Sequence, residues 1–357
     1  MKKCSSIISI LAMVALIGCT KTELIPTTEK EITFAVGSYM PATKITSLNG
    51  SEDAVTTFSS KGFLYAEGIA TTQDFFGTNG ETITYNNTDA WEPSHPYYWP
   101  KSSNSYINFV SWYDKNPTQN FAASVTENSI SWTIDGTNRT LQADDNIMIA
   151  DEAWGYNANA TEYVAYSGVA SGVPTLFHHL LARVRVVVKA SKLSDTGVSW
   201  EVTAGNFTMS NLYTTGTISL SNTEPDTTPD TSAWETTGWS LTGNRTHTLN
   251  GVSTPENITT AGVELFSHSV IPQASANLAR IAFTYTVKTI YSDDDYIIET
   301  VNTGNISLGS FSNVINAWEM NKKITYIVTI NPECNEILID PQASDWSEPT
   351  VPAISIE

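Results

Sequence analysis

The stretch "IAFTYTVKTIYSDDDYIIETVNTGNISL" occupies residues 281–308. From Ile281 to Val287 bulky apolar and polar or small residues alternate, and successive strand side chains point to opposite faces, so the run describes a strand with one buried face. A second apolar run, Tyr296-Ile297-Ile298, follows Ser292-Asp293-Asp294-Asp295, which has the polar chemistry of a hairpin loop. Similar runs recur in "TITY" (82–85), "YINFVSWY" (106–113), "ISWTI" (130–134) and "VRVVVKA" (184–190). "KITYIVTI" (323–330) and "EILID" (336–340) form another hairpin pattern across Asn331-Pro332-Glu333. Helical periodicity is confined to "SNVINAWEM" (312–320), enough for a turn or two. About a dozen strand-like runs separated by turn signals predict an all-β chain built from sandwiches.

With 357 residues and 41% hydrophobic composition, the chain exceeds what one core usually organises. Two β-sandwich domains are expected, over residues 32–172 and 173–357, with the boundary at the Gly/Pro/Ser cluster "ASGVPT" (170–175). The Thr/Pro/Asp-rich "SNTEPDTTPDTSAWETTG" (221–238) is expected to be a long surface loop of the second domain.

The beginning of the chain has its own logic. Met1-Lys2-Lys3 is cationic, Ile7 to Ile17 is apolar except for Ser9, and Leu16-Ile17-Gly18-Cys19 matches the bacterial lipobox. The apolar run is too short to span a bilayer. Residues 1–18 are therefore read as a lipoprotein signal, Cys19 as the acylated thiol, and residues 19–31 as a polar linker. A diacylglycerol thioether with an N-acyl chain anchors stably in a membrane. Loss of Lys2 and Lys3 deepens a net charge that is already −19, which disfavours a nucleic-acid partner. Of three cysteines, Cys4 leaves with the signal and Cys334 has no internal partner, so Cys334 is expected to be a buried or half-buried small hydrophobe.

Catalytic and metal-binding patterns are missing. There is no Gly-x-Ser-x-Gly elbow, no His-Glu-x-x-His and no phosphate-cradling glycine loop, so no enzyme, cofactor or metal site is expected. The adjacent His178 and His179 would face opposite sides of a strand and suit no joint metal site, which favours a structural role for at least one. Asp293–Asp295 lack calcium-loop spacing and read as a solvated hairpin tip. The aromatics of "HPYYWP" (95–100) and Trp112 are open to two readings, a sugar-stacking platform or core, with Trp99, Phe109 and Trp112 expected in the N-terminal core.

The run "YYWPKSSNSYINFVSWYD" (97–114) resembles a signature of the fimbrillin-like lipoproteins, which include subunits and accessory proteins of type V pili in Bacteroides-type bacteria. In the same order as in that family follow matches to "ITFAVGSYMPATKITSLNG" (32–50), "DDNIMIADEAW" (144–154), "LFHHLLARVRVVV" (176–188), "NLYTTGTISL" (211–220) and "KITYIVTINPECNEILIDPQASDW" (323–346). The Phe-x-His element aligns the family histidine with His179, counting from Phe177.

The resemblance implies transthyretin-like sandwiches, outer-membrane export as a lipoprotein, and assembly with other pilus subunits by donated β-strands. It also implies that in stalk subunits a protease removes the first strand. The family cut often follows an arginine, whereas the matching loop here carries Lys44 and no arginine precedes Arg139. A lysine-specific cut would suit a stalk subunit, and an uncut chain an anchor or tip adhesin that meets host or bacterial surface ligands. The donor-strand candidate is "TVPAISIE" (350–357), with Ile354 and Ile356 on one face; the same segment could instead pair within its own domain. The alternatives are a non-polymerising surface glycan-binding lipoprotein and, with least support, a lipoprotein hydrolase.

Overall fold

The computed structural model describes residues 30–37, 55–86 except 67, 69 and 70, 91–116 except 103, 125–157, 172–222, and 230–346 except 233, 294 and 312. Its regular structure is almost wholly β, as the period-two runs require, with one short 3₁₀ turn at Ala276–Leu278. Both expected hairpins form: Arg280–Tyr291 pairs with Tyr296–Asn302, and Lys322–Asn331 with Glu336–Asp345.

In the first unit the hydrogen-bonded ladder closes on itself. The strand Phe34–Gly37 pairs with Trp91–Pro93, which leads through Glu81–Tyr85 and Thr57–Tyr65 to Tyr106–Asp114. Tyr106–Asp114 then pairs with Ile147–Ala150, which leads through Val173–His179 back to Phe34–Gly37. The last step is parallel and every other is antiparallel. Inside the ring lies a core containing Ile32, Phe34, Phe58, Trp91, Trp99 and Phe109.

The apolar residues of "YINFVSWY" occupy both faces of their strand because both are covered. Ile107 and Phe109 point into the ring, whereas Val110 and Trp112 point outward into a separate core with Trp132, Ile147, Ile149, Leu180 and Leu181. Trp99, Phe109 and Trp112 are all buried, but the two tryptophans serve different cores on opposite sides of one wall. The outer core is roofed by Ser129–Ile134 paired with Thr215–Ser221, which in turn pairs with Ser240–Thr242.

The chain between 215 and 242 therefore returns to the first unit. Asp230–Ser232 pairs with Glu152–Trp154, the Trp234 indole N–H donates to the Ala150 carbonyl at 2.8 Å, and the Trp239 indole N–H to the Leu180 carbonyl at 2.7 Å. Strands on the two sides of residue 172 thus share sheets, and Val173–His179 itself is a member of the ring.

The second unit is a sandwich. One sheet runs Val263–Val270, Ala182–Ala190, Lys322–Asn331, Glu336–Asp345, and the facing sheet is built on Val198–Leu212, Arg280–Tyr291 and Tyr296–Asn302. Their shared core holds Trp200, Phe207, Phe266, Phe283, Tyr285, Trp318 and Tyr326. The 15-residue strand Val198–Leu212 bends at two register shifts, each beside an asparagine with positive φ (Asn206, 53°; Asn211, 63°).

A buried ionic network stands where the two units meet. Arg139 lies 2.9 Å from Asp114 and 3.2 Å from Asp145, while the Ser269 hydroxyl donates to the Asp145 carbonyl and Arg183 to the Ala143 carbonyl at 2.9 Å. Cys334 departs from expectation. It occupies the Asn331–Glu336 hairpin turn, where the chain reverses at the surface, and it is exposed.

Two outcomes are expected. Trp112→Ala empties a site in the outer core and should cost about 3–5 kcal/mol, read as a lower denaturation midpoint. Glu152 is buried beside the returning segment: its Oε2 accepts from Trp154 and Asn222, and its Oε1 has no partner. Burial pushes its carboxyl up from 4.5 to about 8, against the two hydrogen bonds. Between those values the unfolded chain has lost a proton that the folded chain keeps, so this group costs stability as pH rises and reaches its full cost above about 8. Glu152→Gln should therefore melt above the parent at pH 8, with the gap narrowing toward pH 5 as thermal scans across pH will show.

Candidate functional site: the slot of the first strand

The ring depends on one short segment. Phe34–Gly37 lies parallel to Val173–Leu176 on one side and meets Trp91 on the other. The Ile32 N–H donates to the Tyr97 carbonyl at 2.8 Å, the Trp99 N–H to the Lys30 carbonyl at 3.1 Å, and the Val173 N–H to the Thr33 carbonyl at 2.7 Å. Ile32, Phe34 and Val36 alternate into the core and are buried. The Phe34 ring meets Phe58 and Phe109 edge-on, at 5.6 and 5.5 Å between centroids. These are favourable aromatic geometries.

Gly172 makes this fit possible. A Cβ at that position would lie 2.9 Å from the Phe34 carbonyl carbon and 3.0 Å from the Ala35 nitrogen, both backbone atoms. The glycine that marked a domain boundary in the sequence is thus a close-approach residue for the first strand. The only hint was its place directly before a strand run.

A polar cluster braces the opposite rim. The Ser94 hydroxyl donates to Glu81 Oε1 and the Tyr97 hydroxyl to Glu81 Oε2 at 2.9 Å, and His95 Nδ1 stands 3.4 Å from that same Oε2. Burial raises the Glu81 carboxyl, but the hydrogen bonds from Ser94, Tyr97 and His95 outweigh it and hold the group below its usual value. Serine, histidine and carboxylate meet here without the order of a nucleophilic triad. One nitrogen, His95 Nδ1, faces both Ser94 and Glu81, and Ser94 donates to the carboxylate rather than to the ring. Of the neighbouring rings, Trp99 is core and Tyr97 packs on Phe75 and Phe76. Tyr98 is exposed, with its hydroxyl donating to Glu31 at 3.3 Å, so the segment presents one ring rather than a row.

The two histidines part as an extended strand dictates. His178 Nε2 stands 3.1 Å from Asp151, and His179 Nδ1 is 2.7 Å from the Asn146 side-chain oxygen. Because that oxygen only accepts, Nδ1 carries the proton. The His179 ring stacks on Trp346 with centroids 4.1 Å apart, and burial and the neighbouring His178 push its pKa down to about 3, so it stays neutral. Trp346, whose N–H donates to the Asn321 carbonyl at 2.7 Å, is the last described residue and precedes the candidate donor segment.

Cys19, Lys44, Ile354 and Ile356 lie outside the described residues. Asp293 and Asp295 stand at the exposed tip of the Arg280–Asn302 hairpin, as expected, and Asp294 is not described. Among the described residues no three histidine, cysteine or acidic side chains gather to hold a metal, and no helix is long and apolar enough to cross a membrane.

Comparison with solved structures finds the same fold in a fimbrial protein from Bacteroides vulgatus, at TM-score 0.53 and 16% identity, covering 88% of this chain and 99% of that one. A candidate cell adhesion protein from Bacteroides uniformis aligns at TM-score 0.45 and 16% identity, over 90% of this chain and 99% of that one. No curated protein gives a significant sequence match. A family model described as fimbrillin-like matches residues 26–346, nearly the whole length over which the ring and the sandwich are built, and the chain belongs to that fimbrillin-like family.

Proposed function

We propose that this protein is a fimbrial subunit, exported as a lipoprotein through Cys19 to the outer membrane and assembled by strand donation. The observation that carries the reading is the first strand, which fills a slot in an otherwise continuous ring through three alternating side chains. Its covalent link to the rest of the chain is the stretch between Gly37 and Val55, which contains Lys44. A cut after Lys44 would separate the strand from the ring and leave unpaired N–H and C=O groups along both walls, with empty pockets between them. Buried groups in that state are costly, so a strand from another chain would be drawn in.

The segment 350–357 suits that role. Pro352, Ile354 and Ile356 repeat the two-residue spacing of Ile32, Phe34 and Val36. Ile354 and Ile356 are assigned to the pockets, while Pro352, lacking an N–H, suits the start of the inserted strand. The partners are then other pilus subunits, with the lipid as membrane tether. Cleavage at Lys44 assigns a stalk position, and an intact chain an anchor or tip.

N-terminal sequencing of cell-associated protein tests export and cleavage together. An acyl-blocked Cys19 together with a new terminus at Ile45 is the stalk outcome, and Cys19→Ala should incorporate no labelled fatty acid. Deleting residues 350–357 should abolish ladders on unboiled gels while leaving the melting temperature unchanged. A large loss of stability would instead make the segment a strand of its own domain. Gly172→Ala should lower stability by about 1–3 kcal/mol by forcing the first strand off its neighbour. In that variant, limited proteolysis should release the strand faster.

A further inference from the structure

The strand Tyr296–Asn302 is an outer edge of the larger sheet in the second unit. The Tyr291 N–H donates to the Asp295 carbonyl at 2.9 Å and the Thr303 N–H to the Phe283 carbonyl at 3.1 Å, which fixes the phase of the ladder. Antiparallel pairs alternate between bonded and non-bonded, so Ile297, Glu299 and Val301 turn their backbone groups inward. Tyr296, Ile298 and Thr300 turn theirs outward. Among the described residues no strand pairs on that side. Tyr296, Ile297 and Ile298 are 59%, 52% and 56% exposed.

Among the described residues the other edges are short, charged or irregular, including the four-residue His247–Asn250, whose ladder shifts register at Ser210/Leu212. Glu336–Asp345 carries Pro341 with Glu336, Asp340 and Asp345, and Val263–Val270 has a bulge at Val186/Val187 in its ladder. Gln73–Asp74, Val125–Thr126, Ser194–Asp195, Asp230–Ser232 and Ser240–Thr242 are only two or three residues long. Short strands, charges, prolines and bulges are the usual protections against strand addition. Tyr296–Asn302 has a single charged residue, Glu299, and Asn335 Nδ2 donates to it at 2.9 Å.

We propose that this edge binds a second copy of the chain, strand to antiparallel strand, about a twofold axis through Ile298. The two-residue side-chain period allows only a few registers in which the outward groups of both strands meet. Centring on Glu299 sets it against Glu299 of the partner subunit, and centring on Ile297 sets Asp295 against the partner's Glu299. Like charges directly opposite are destabilising. Centring on Ile298 sets Ile298 against itself, Tyr296 against Thr300 of the partner subunit and Ile297 against the partner's Glu299, with no like charges opposed. A centre at Thr300 also avoids them but moves Ile298 opposite the partner's Asn302. Only a short strand is covered, so the association is reversible and of the small-interface class. It needs neither the cut nor the donor segment.

The test uses the full chain, uncleaved, with Cys4, Cys19 and Cys334 replaced by serine so that it is not lipidated. Sedimentation velocity over a concentration series should show a reversible monomer–dimer equilibrium. Ile298→Lys should raise the midpoint concentration at least about tenfold with the melting temperature unchanged. Ile298→Cys should give a disulfide-linked dimer under mild oxidation, because Cα atoms facing each other across a bonded pair lie about 5.5 Å apart. Leu338→Cys, at a residue 64% exposed on another strand, should not. A parent chain that stays monomeric overturns the proposal, as does an Ile298→Lys dimer of unchanged strength, or equal cross-linking at position 338. With the first strand still in its slot, none of these results bears on strand donation.

Discussion

The first unit is held together by ring closure, and closure hangs on a four-residue strand. A closed ladder leaves no free edge along its paired stretches. Phe34–Gly37 is the shortest way to supply the missing segment between Trp91 and Val173. It binds through bonds on both sides and through Ile32, Phe34 and Val36 on one face. Burial of side chains this size is worth about 1.5–3 kcal/mol each. The segment is thus a tightly held member of the ring.

The wall opposite the first strand carries a second load. Tyr106–Asp114 and Ile147–Ala150 are apolar on both faces, so the ring cannot stand alone in water without the outer core. The roof over that core comes partly from chain beyond residue 172, at Thr215–Ser221 and Trp239. The buried Arg139 network and the stacked His179–Trp346 pair lie at this same meeting place. Removing one partner of the Arg139 network would leave a buried charge without compensation, which is strongly destabilising.

How far the residues disclose this structure depends on the range of the signal. Alternation is local, and both hairpins and the strands at 106–113, 130–134 and 184–190 follow from it. The double-sided run "YINFVSWY" holds more than alternation, since Val110 and Trp112 on the second face imply a second cover, but the sequence does not say which segment provides it. The Thr/Pro/Asp-rich 221–238 stretch reads as a loop by composition, yet the strand leading into it, Thr215–Ser221, pairs with Ser129–Ile134, a contact distant in the chain that no local pattern encodes. Cys334 misleads because thiols are usually buried, whereas a hairpin turn forces exposure. Of the slot, only the match of residues 32–50 to the fimbrillin-like pattern was legible. The parallel partner and the need for Gly172 were not, since both depend on a strand that lies far away in the chain.

The distribution of edges links the two units. A chain assembled by strand donation, as proposed above, must keep other chains from adding elsewhere, or ordered assembly would compete with random pairing. Pro341, the acidic residues of Glu336–Asp345 and the two- or three-residue edge strands serve that purpose. Tyr296–Asn302 departs from the rule in apolar content and in lacking a proline or bulge. Its side chains gain nothing by exposure, because the core they would join ends at Val301, the one residue of the strand packed against it. An unguarded apolar edge in a chain that guards the others is therefore better explained by occupancy than by tolerance. Because it lies on the second unit and the slot on the first, filling one leaves the other free.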